Sequence, residues 1–444
     1  MRQLYSITIC ILLVLVHLPL IHAQSSIDLT ADESVRIGLE HNVRIRIANA
    51  ETDEARYALR EVRAAQFPSV RGQASYTRIS DNVPEVEFSV PGIDTTFTFL
   101  PVELNRYYSE LSVEQPLFAG FRIRNQVRAA EYLAEAAGLM GEQEQADVAF
   151  AIRRAYWNLY QAIAIRESVD AALMQVVEHL KDVQNRVDAG TALTTDYLNA
   201  RTRRSEVLLE QIEANSAVRM AQLELSRLIG MPFDSNIRPV APEEFEALPA
   251  GPEPSVEDAL GQRPQIRAME KQIDGLGARV NMTRGLWFPE LYLVGRYIYA
   301  RPNQYFFLEQ DRFKASWEIG LALRWSLFEG GSRIAQTNRA RTRLKIAEER
   351  LTDIREQVSV EMIRQHLELQ RAAEAIRVAG ENIGGTEEAL RMARKQYEEG
   401  VALSTHVLDA EYALRAARAR QVRAVAEYAI ARAAMLNVLG KVWE

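Results

Sequence analysis

Residues suited to covalent or metal chemistry are sparse in this sequence. Its one cysteine, Cys10, lies in an apolar leading run, and its six histidines are scattered. His41, His179 and His366 each lack a second histidine at ligand spacing. No Gly-x-Ser-x-Gly elbow and no glycine-rich phosphate loop occurs. The 60 acidic residues guarantee neighbouring carboxylates, but these fall in helical runs that need solvated faces. Neither an enzyme nor a resident metal or cofactor is expected. One titratable pair does stand out. His406 and Asp409 are three positions apart, which on a helix puts them on one side.

The elements that would carry such a pair are long. With 48% apolar and 25% charged residues the chain is foldable, and its net charge of −7 argues against nucleic acid as a partner. No proline occurs between Leu117 and Met231, or after Pro302. Both stretches are rich in Ala, Leu, Glu, Arg and Gln, so they read as long helices, the first from Phe121 to Ala189. Val148, Ile152, Ala155, Leu159 and Ile163 recur at steps of four, three, four and four, which is coiled-coil-like spacing. Six of the fifteen prolines crowd between Pro232 and Pro254, marking a connector at 231–254. Residues 1–23 have a positive start at Arg2, an apolar run and a small residue at Ala23. They read as a signal peptide cleaved near Ala23, with no cysteine following to take a lipid anchor.

The chain also repeats itself. A shift of 210 places Leu117-Phe118-Ala119-Gly120 on Leu327-Phe328-Glu329-Gly330, Gly190 on Gly400 and Gly230 on Gly440. Between 186–200 and 396–410, six of fifteen positions are identical, including Gly190, Leu193 and Thr195 with Gly400, Leu403 and Thr405. Upstream the shift becomes 221, where Phe67-Pro68 meets Phe288-Pro289, so the first copy carries 11 extra residues before Leu117. The copies run 24–230 and 255–444.

Each copy contains two segments of period-two alternation, near 69–79 and 107–117, then near 290–300 and 313–327. Trp317, Ile319, Leu321, Leu323 and Trp325 alternate with Glu318, Gly320, Ala322, Arg324 and Ser326. Such strands, with the aromatics Tyr297, Tyr299, Trp317 and Trp325 near their ends, suit a transmembrane barrel, although a half-buried soluble hairpin alternates too. Four strands close no barrel alone, and lipid does not tolerate open edges, so a spanning sheet requires several chains. Three would supply about twelve strands.

The duplication, the Phe-Pro before a strand, the Leu-Phe-x-Gly after one and the Gly-x-x-Leu-x-Thr-x-x-Leu turns together resemble the TolC-type outer-membrane efflux proteins, over nearly the whole chain. The resemblance implies a mainly α fold with a membrane β-barrel portion. Three chains would form a twelve-stranded outer-membrane barrel continuous with a periplasmic α-helical coiled-coil tunnel. It implies a passive exit duct in the outer membrane of a Gram-negative-type cell. A homotrimer would dock a periplasmic adaptor and, through it, a proton-driven or ABC-type inner-membrane pump, serving efflux or type I secretion. His406 and Asp409 then fall at the periplasmic entrance, where Asp196 and Asn199 stand in the first copy. The family carries carboxylates at both second-copy positions, so His406 is a departure: an ionic latch when protonated, or an exposed polar residue. Gly190, Leu193, Thr195, Gly400, Leu403 and Thr405 fall at the adaptor-docking tips, and the two threonines are also candidate helix caps. Gly380, Gly384 and Gly385, which replace Asp170, Met174 and Gln175 of the first copy, read as a hinge or as a close-packing surface. The rival is a periplasmic coiled coil, structural or adaptor-like, without a pore.

Overall fold

A computed structural model describes residues 27–82, 86–89, 91–92, 96–100, 103–240, 256–306 and 311–443. The leading segment 1–23 and the second half of the connector 231–254 lie outside them. The chain divides into two compact units. One comprises Met1–Ala48, Glu142–Arg263 and Gln357–Glu444, and the other Asn49–Gly141 and Pro264–Glu356.

In the first unit, the breaker-free stretches become helices. Arg122–Asp188 (α3) and Ser332–Glu398 (α7) each run 67 residues, about 100 Å at 1.5 Å per residue, and each also supplies residues to the second unit. Thr194–Ile229 (α4) and Ser404–Val438 (α8) return from them. The four-three spacing is the core stripe: Val148, Ile152, Ala155 and Leu159 are all buried, and Ile163 packs partly buried on the same cluster. Against them pack Val218, Leu225 and Ile229 of α4 and Val35 of the short helix Ala31–His41 (α1). Thr30 and Glu33 form a capping box on α1: Glu33 N donates to Thr30 Oγ1 at 3.2 Å and Thr30 N to Glu33 Oε2 at 2.8 Å. The bond from Thr30 N, with a second donated by Thr30 Oγ1 at 2.9 Å, holds the Glu33 carboxyl below its ordinary range.

Two strands here are unexpected. Ile27–Leu29 (β1) pairs in parallel with Ile237–Pro239 (β6), inside the segment read as a plain connector. Buried Tyr156 fastens them, its hydroxyl donating to Val240 O at 2.7 Å and Leu29 O at 3.1 Å. Burial raises that phenol's pKa.

The second unit pairs one sheet with a row of helices. Ser69–Arg78 (β2), Asn105–Ala119 (β5), Glu290–Arg301 (β7) and Lys314–Arg324 (β8) form an antiparallel sheet in the order β2-β5-β7-β8. The extra residues of the first copy carry a separate hairpin, Val86–Ser89 (β3) with Thr96–Leu100 (β4), which alternation did not reveal. The helices follow the strands: Val43–Ala64 (α2), the first part of α3, Pro264–Arg284 (α6) and the first part of α7. Arg63–Glu131 at 2.7 Å ties α2 to α3, Lys271–Glu135 at 2.7 Å ties α3 to α6, and Arg355–Glu270 at 2.8 Å ties α6 to α7. Val256–Gln262 (α5) precedes α6.

The repeat persists at atomic detail. Gln115 Nε2 donates to Gln66 O at 3.0 Å, and their counterparts Trp325 Nε1 and Trp287 O meet at 3.3 Å. The copies differ at the end of their last strand. β5 continues to Ala119 because Leu291 and Glu290 of β7 pair with it there. β8 stops at Arg324, short of the 327 expected, and residues 325–329 have no partner strand among the described residues.

Candidate functional site: the sheet edges and the hairpin tips

The register of the sheet sorts its side chains. Val113, Gly295 and Ile319 stand in one cross-strand row, and Leu111, Tyr297 and Trp317 in the next. On this face Leu111, Tyr297, Ile319, Leu321 and Leu323 are exposed and apolar, and Trp317 is 75% exposed. The opposite face is polar: Arg296 pairs with Glu318 at 3.1 Å and Arg324 with Glu114 at 3.3 Å. A soluble sheet buries its apolar face. Here the apolar face is bare and the polar one internally paired, the arrangement of a lipid-facing barrel wall. No helix among the described residues is long and apolar enough to cross a membrane, a finding that leaves a barrel untouched.

The expected interface aromatics lie on or beside this sheet. Tyr297 pairs across strands with Trp317, Tyr299 stacks on Phe313 at 5.1 Å between centroids, and Trp325 follows the end of β8. At the helical end of the sheet the backbones of Gly120 and Gly285 touch so closely that a Cβ built on either would collide with the other's carbonyl oxygen. Phe118, Phe121 and Phe288 stack edge-on beside them, with centroids 5.4 and 6.2 Å apart.

The two hairpin tips have the same construction. Gly190 (φ 72°) and Gly400 (φ 76°) are left-handed, a conformation glycine adopts without Cβ strain. Thr191 N then donates to Arg186 O at 2.8 Å and Val401 N to Gln396 O at 2.9 Å, closing α3 and α7. The expected threonine caps are corrected. Thr195 and Thr405 lie inside α4 and α8, and the cap positions belong to Leu193 and Leu403. Both leucines are 68% exposed, so the tips present apolar side chains to solvent. A leucine cap is tolerable because an exposed helix start can leave its N–H groups to water. In the first tip Asp196 also accepts from Leu193 N at 3.2 Å, while the second tip has His406 at that position. His406 and Asp409 are both exposed on the first turns of α8.

Gly380, Gly384 and Gly385 lie in unbroken helix and are exposed, and a Cβ on any of them would meet nothing within 4 Å among the described residues. Packing within one chain therefore does not account for them.

A seam between the two hairpins was not evident from the sequence. Arg186 of α3 lies over the Tyr397 ring of α7 at 4.7 Å, and half-buried His179 faces the same ring at 6.4 Å. Arg415 of α8 pairs with Glu210 of α4 at 3.2 Å, and Arg394 of α7 with Glu411 of α8 at 2.9 Å. Burial lowers the His179 pKa, with Arg186 acting in the same direction and Glu411 and Asp182 opposing. The sequence carried no signal for it, because His179 and Tyr397 occupy different positions of the repeat, 11 and 3 residues before their turn glycines. Among the described residues no cluster of three His, Cys, Asp or Glu side chains could hold a metal.

Comparison with known proteins agrees with this geometry. The profile described as "Outer membrane efflux protein" matches residues 36–231 and 255–441. The alkaline protease secretion protein AprF of Pseudomonas aeruginosa is 23% identical over 73% of this chain and 68% of its own. The solvent efflux pump outer membrane protein SrpC of Pseudomonas putida is 30% identical over 58% of this chain and 52% of its own. Among solved structures, the outer-membrane channel OprN superposes with a TM-score of 0.76 at 23% identity, covering 92% of this chain and 89% of that one. The Campylobacter jejuni CmeC outer membrane channel gives 0.79 at 16% identity, covering 93% and 86%. The chain belongs to the outer membrane efflux protein family.

Proposed function

We propose that this protein is the outer-membrane channel of a tripartite efflux or type I secretion system, a passive exit duct driven through a periplasmic adaptor by an inner-membrane pump. The carrying observation is the four-stranded sheet with an exposed apolar face and two edge strands, β2 and β8, each paired on one side only among the described residues. By the repeat, β8 is the counterpart of β5 and β2 the counterpart of β7, and β5 and β7 pair within the chain. The same pairing between copies closes the sheet, and three copies close it at about twelve strands.

The repeat also supplies the register. Leu111 opposite Tyr297 becomes Leu321 opposite Tyr76 of the next chain, and Val113 opposite Gly295 becomes Leu323 opposite Ala74. Residues 325–329 would extend β8 by pairing with the start of β2, as 115–119 do against β7.

On this reading residues 1–23 are the cleaved export signal, and 24–230 and 255–444 are two repeats joined by 231–254. Tyr297, Tyr299, Trp317 and Trp325 mark the membrane interfaces. Gly190, Leu193, Thr195, Gly400, Leu403 and Thr405 dock the adaptor, supported by the exposed leucines. His406 and Asp409 line the entrance, and Gly380, Gly384 and Gly385 soften the leg that moves. Crosslinking in intact cells and purification from the envelope should recover an adaptor together with a proton-driven or ATP-driven pump. Recovery of this chain alone, while a control complex survives the same treatment, would contradict the assignment.

A further inference from the structure

The second unit contains a groove of about 660 Å3 to which all four of its helices contribute: Ala58 and Val62 from α2, Leu133 from α3, Leu276 and Met282 from α6, and Ala340 from α7. In a row ordered α2-α3-α6-α7, a face reached by both the first and the last helix is the concave one. The polar rim has one sign. Arg279, Arg339 and Arg343 line the groove against a single acid, Glu54. All three arginines are exposed, and among the described residues none has an ion pair or hydrogen bond. Arg339 and Arg343 are also one helical turn apart on α7, a spacing at which like charges repel.

The other unit provides the contrast. A groove there is also lined by three arginines, but each has a carboxylate: Arg203 with Glu206 at 2.7 Å, Arg415 with Glu210 at 3.2 Å and Arg418 with Glu387 at 2.8 Å. The groove of the second unit thus combines apolar walls with uncompensated guanidinium groups, which are planar donors matched to carboxylate, sulfonate and phosphate oxygens.

We propose that this groove is a transit site for amphiphilic organic anions, holding an apolar body against the alanine, leucine and methionine side chains and its anionic head on Arg279, Arg339 and Arg343. The assignment rests on the channel reading, in which the concave face of the helix row lines the duct and threefold repetition multiplies the arginines. The test is conductance of the protein reconstituted in a neutral planar bilayer, with 1-octanesulfonate and the octyltrimethylammonium cation as probes. Octanesulfonate should block the wild type at about tenfold lower concentration than the triple variant R279Q/R339Q/R343Q, and the cation should not block. In a salt gradient the triple variant should shift the reversal potential towards cation preference, while Arg60→Gln in the same unit should not. Single R343Q should give a partial shift, and Arg343→Lys should restore most of it, whether or not the triple variant assembles. Equal block of wild type and variants by octanesulfonate, or equal block by the cation, would overturn the site and leave the channel standing. Absence of any conductance from assembled wild type would overturn the channel reading itself.

Discussion

At Gly120 and Gly285 two backbones meet with no room for a side chain, so the β5–α3 junction of the first copy packs directly on the α6–β7 junction of the second. Gly285→Ala would push a methyl group into the Gly120 carbonyl and the Arg122 side chain. It should cost about 1–3 kcal/mol, read as a lower midpoint of heat-modifiable migration with normal expression. Burial lowers the His179 pKa, so its contribution to the seam is present above the ordinary value of 6.5 and is lost as pH falls below it. His179→Gln should remove the resulting acid-induced loosening, read as a change in conductance below that pH; conductance indifferent to pH in both the wild type and His179→Gln would contradict this role. His406→Ala should alter single-channel conductance if His406 lines the entrance as proposed, and unchanged conductance would remove that role. Little of this was legible beforehand: the spacing of His406 and Asp409 could be read directly, but the His179–Tyr397 contact depends on how two distant runs pack.

The long helices could be read because their determinants are local: strong helix formers, no proline, and a glycine at each turn. Where the determinant is a partner, the sequence was silent. β1 and β6 are three-residue strands that exist only by pairing with each other, and β8 ends early because its continuation pairs with nothing among the described residues. The threonine caps failed for another reason: an exposed tip can solvate its own N–H groups, so a leucine can hold the cap position. The element-scale test concerns α7. A Cβ at Gly384 or Gly385 meets nothing, so the double alanine variant fits and stiffens the helix by about 1 kcal/mol per position. Thermal stability should rise, assembly should be normal, and export should fall if this leg must bend. Unchanged export at normal assembly would assign these glycines to contacts made by another chain.

At the scale of the whole molecule, the alternation in four segments made the sheet legible, and the duplication made its closure derivable once the β5·β7 pairing was known. The pairing could not be read from sequence, because alternation assigns faces and says nothing about which strand lies opposite which. The bare apolar face, the unpaired edges and the unformed strand at 325–329 have one common explanation, a neighbouring copy in register. The direct test is a disulfide. In a Cys10→Ser background, paired substitutions Leu323→Cys and Ala74→Cys should crosslink chains into a ladder ending at the trimer when outer membranes are oxidised. Leu323→Cys with Thr77→Cys, slid by three residues, should not. Crosslinking of the slid pair but not the registered one, or of neither pair in a trimer that forms normally, would contradict closure of the barrel by the repeat.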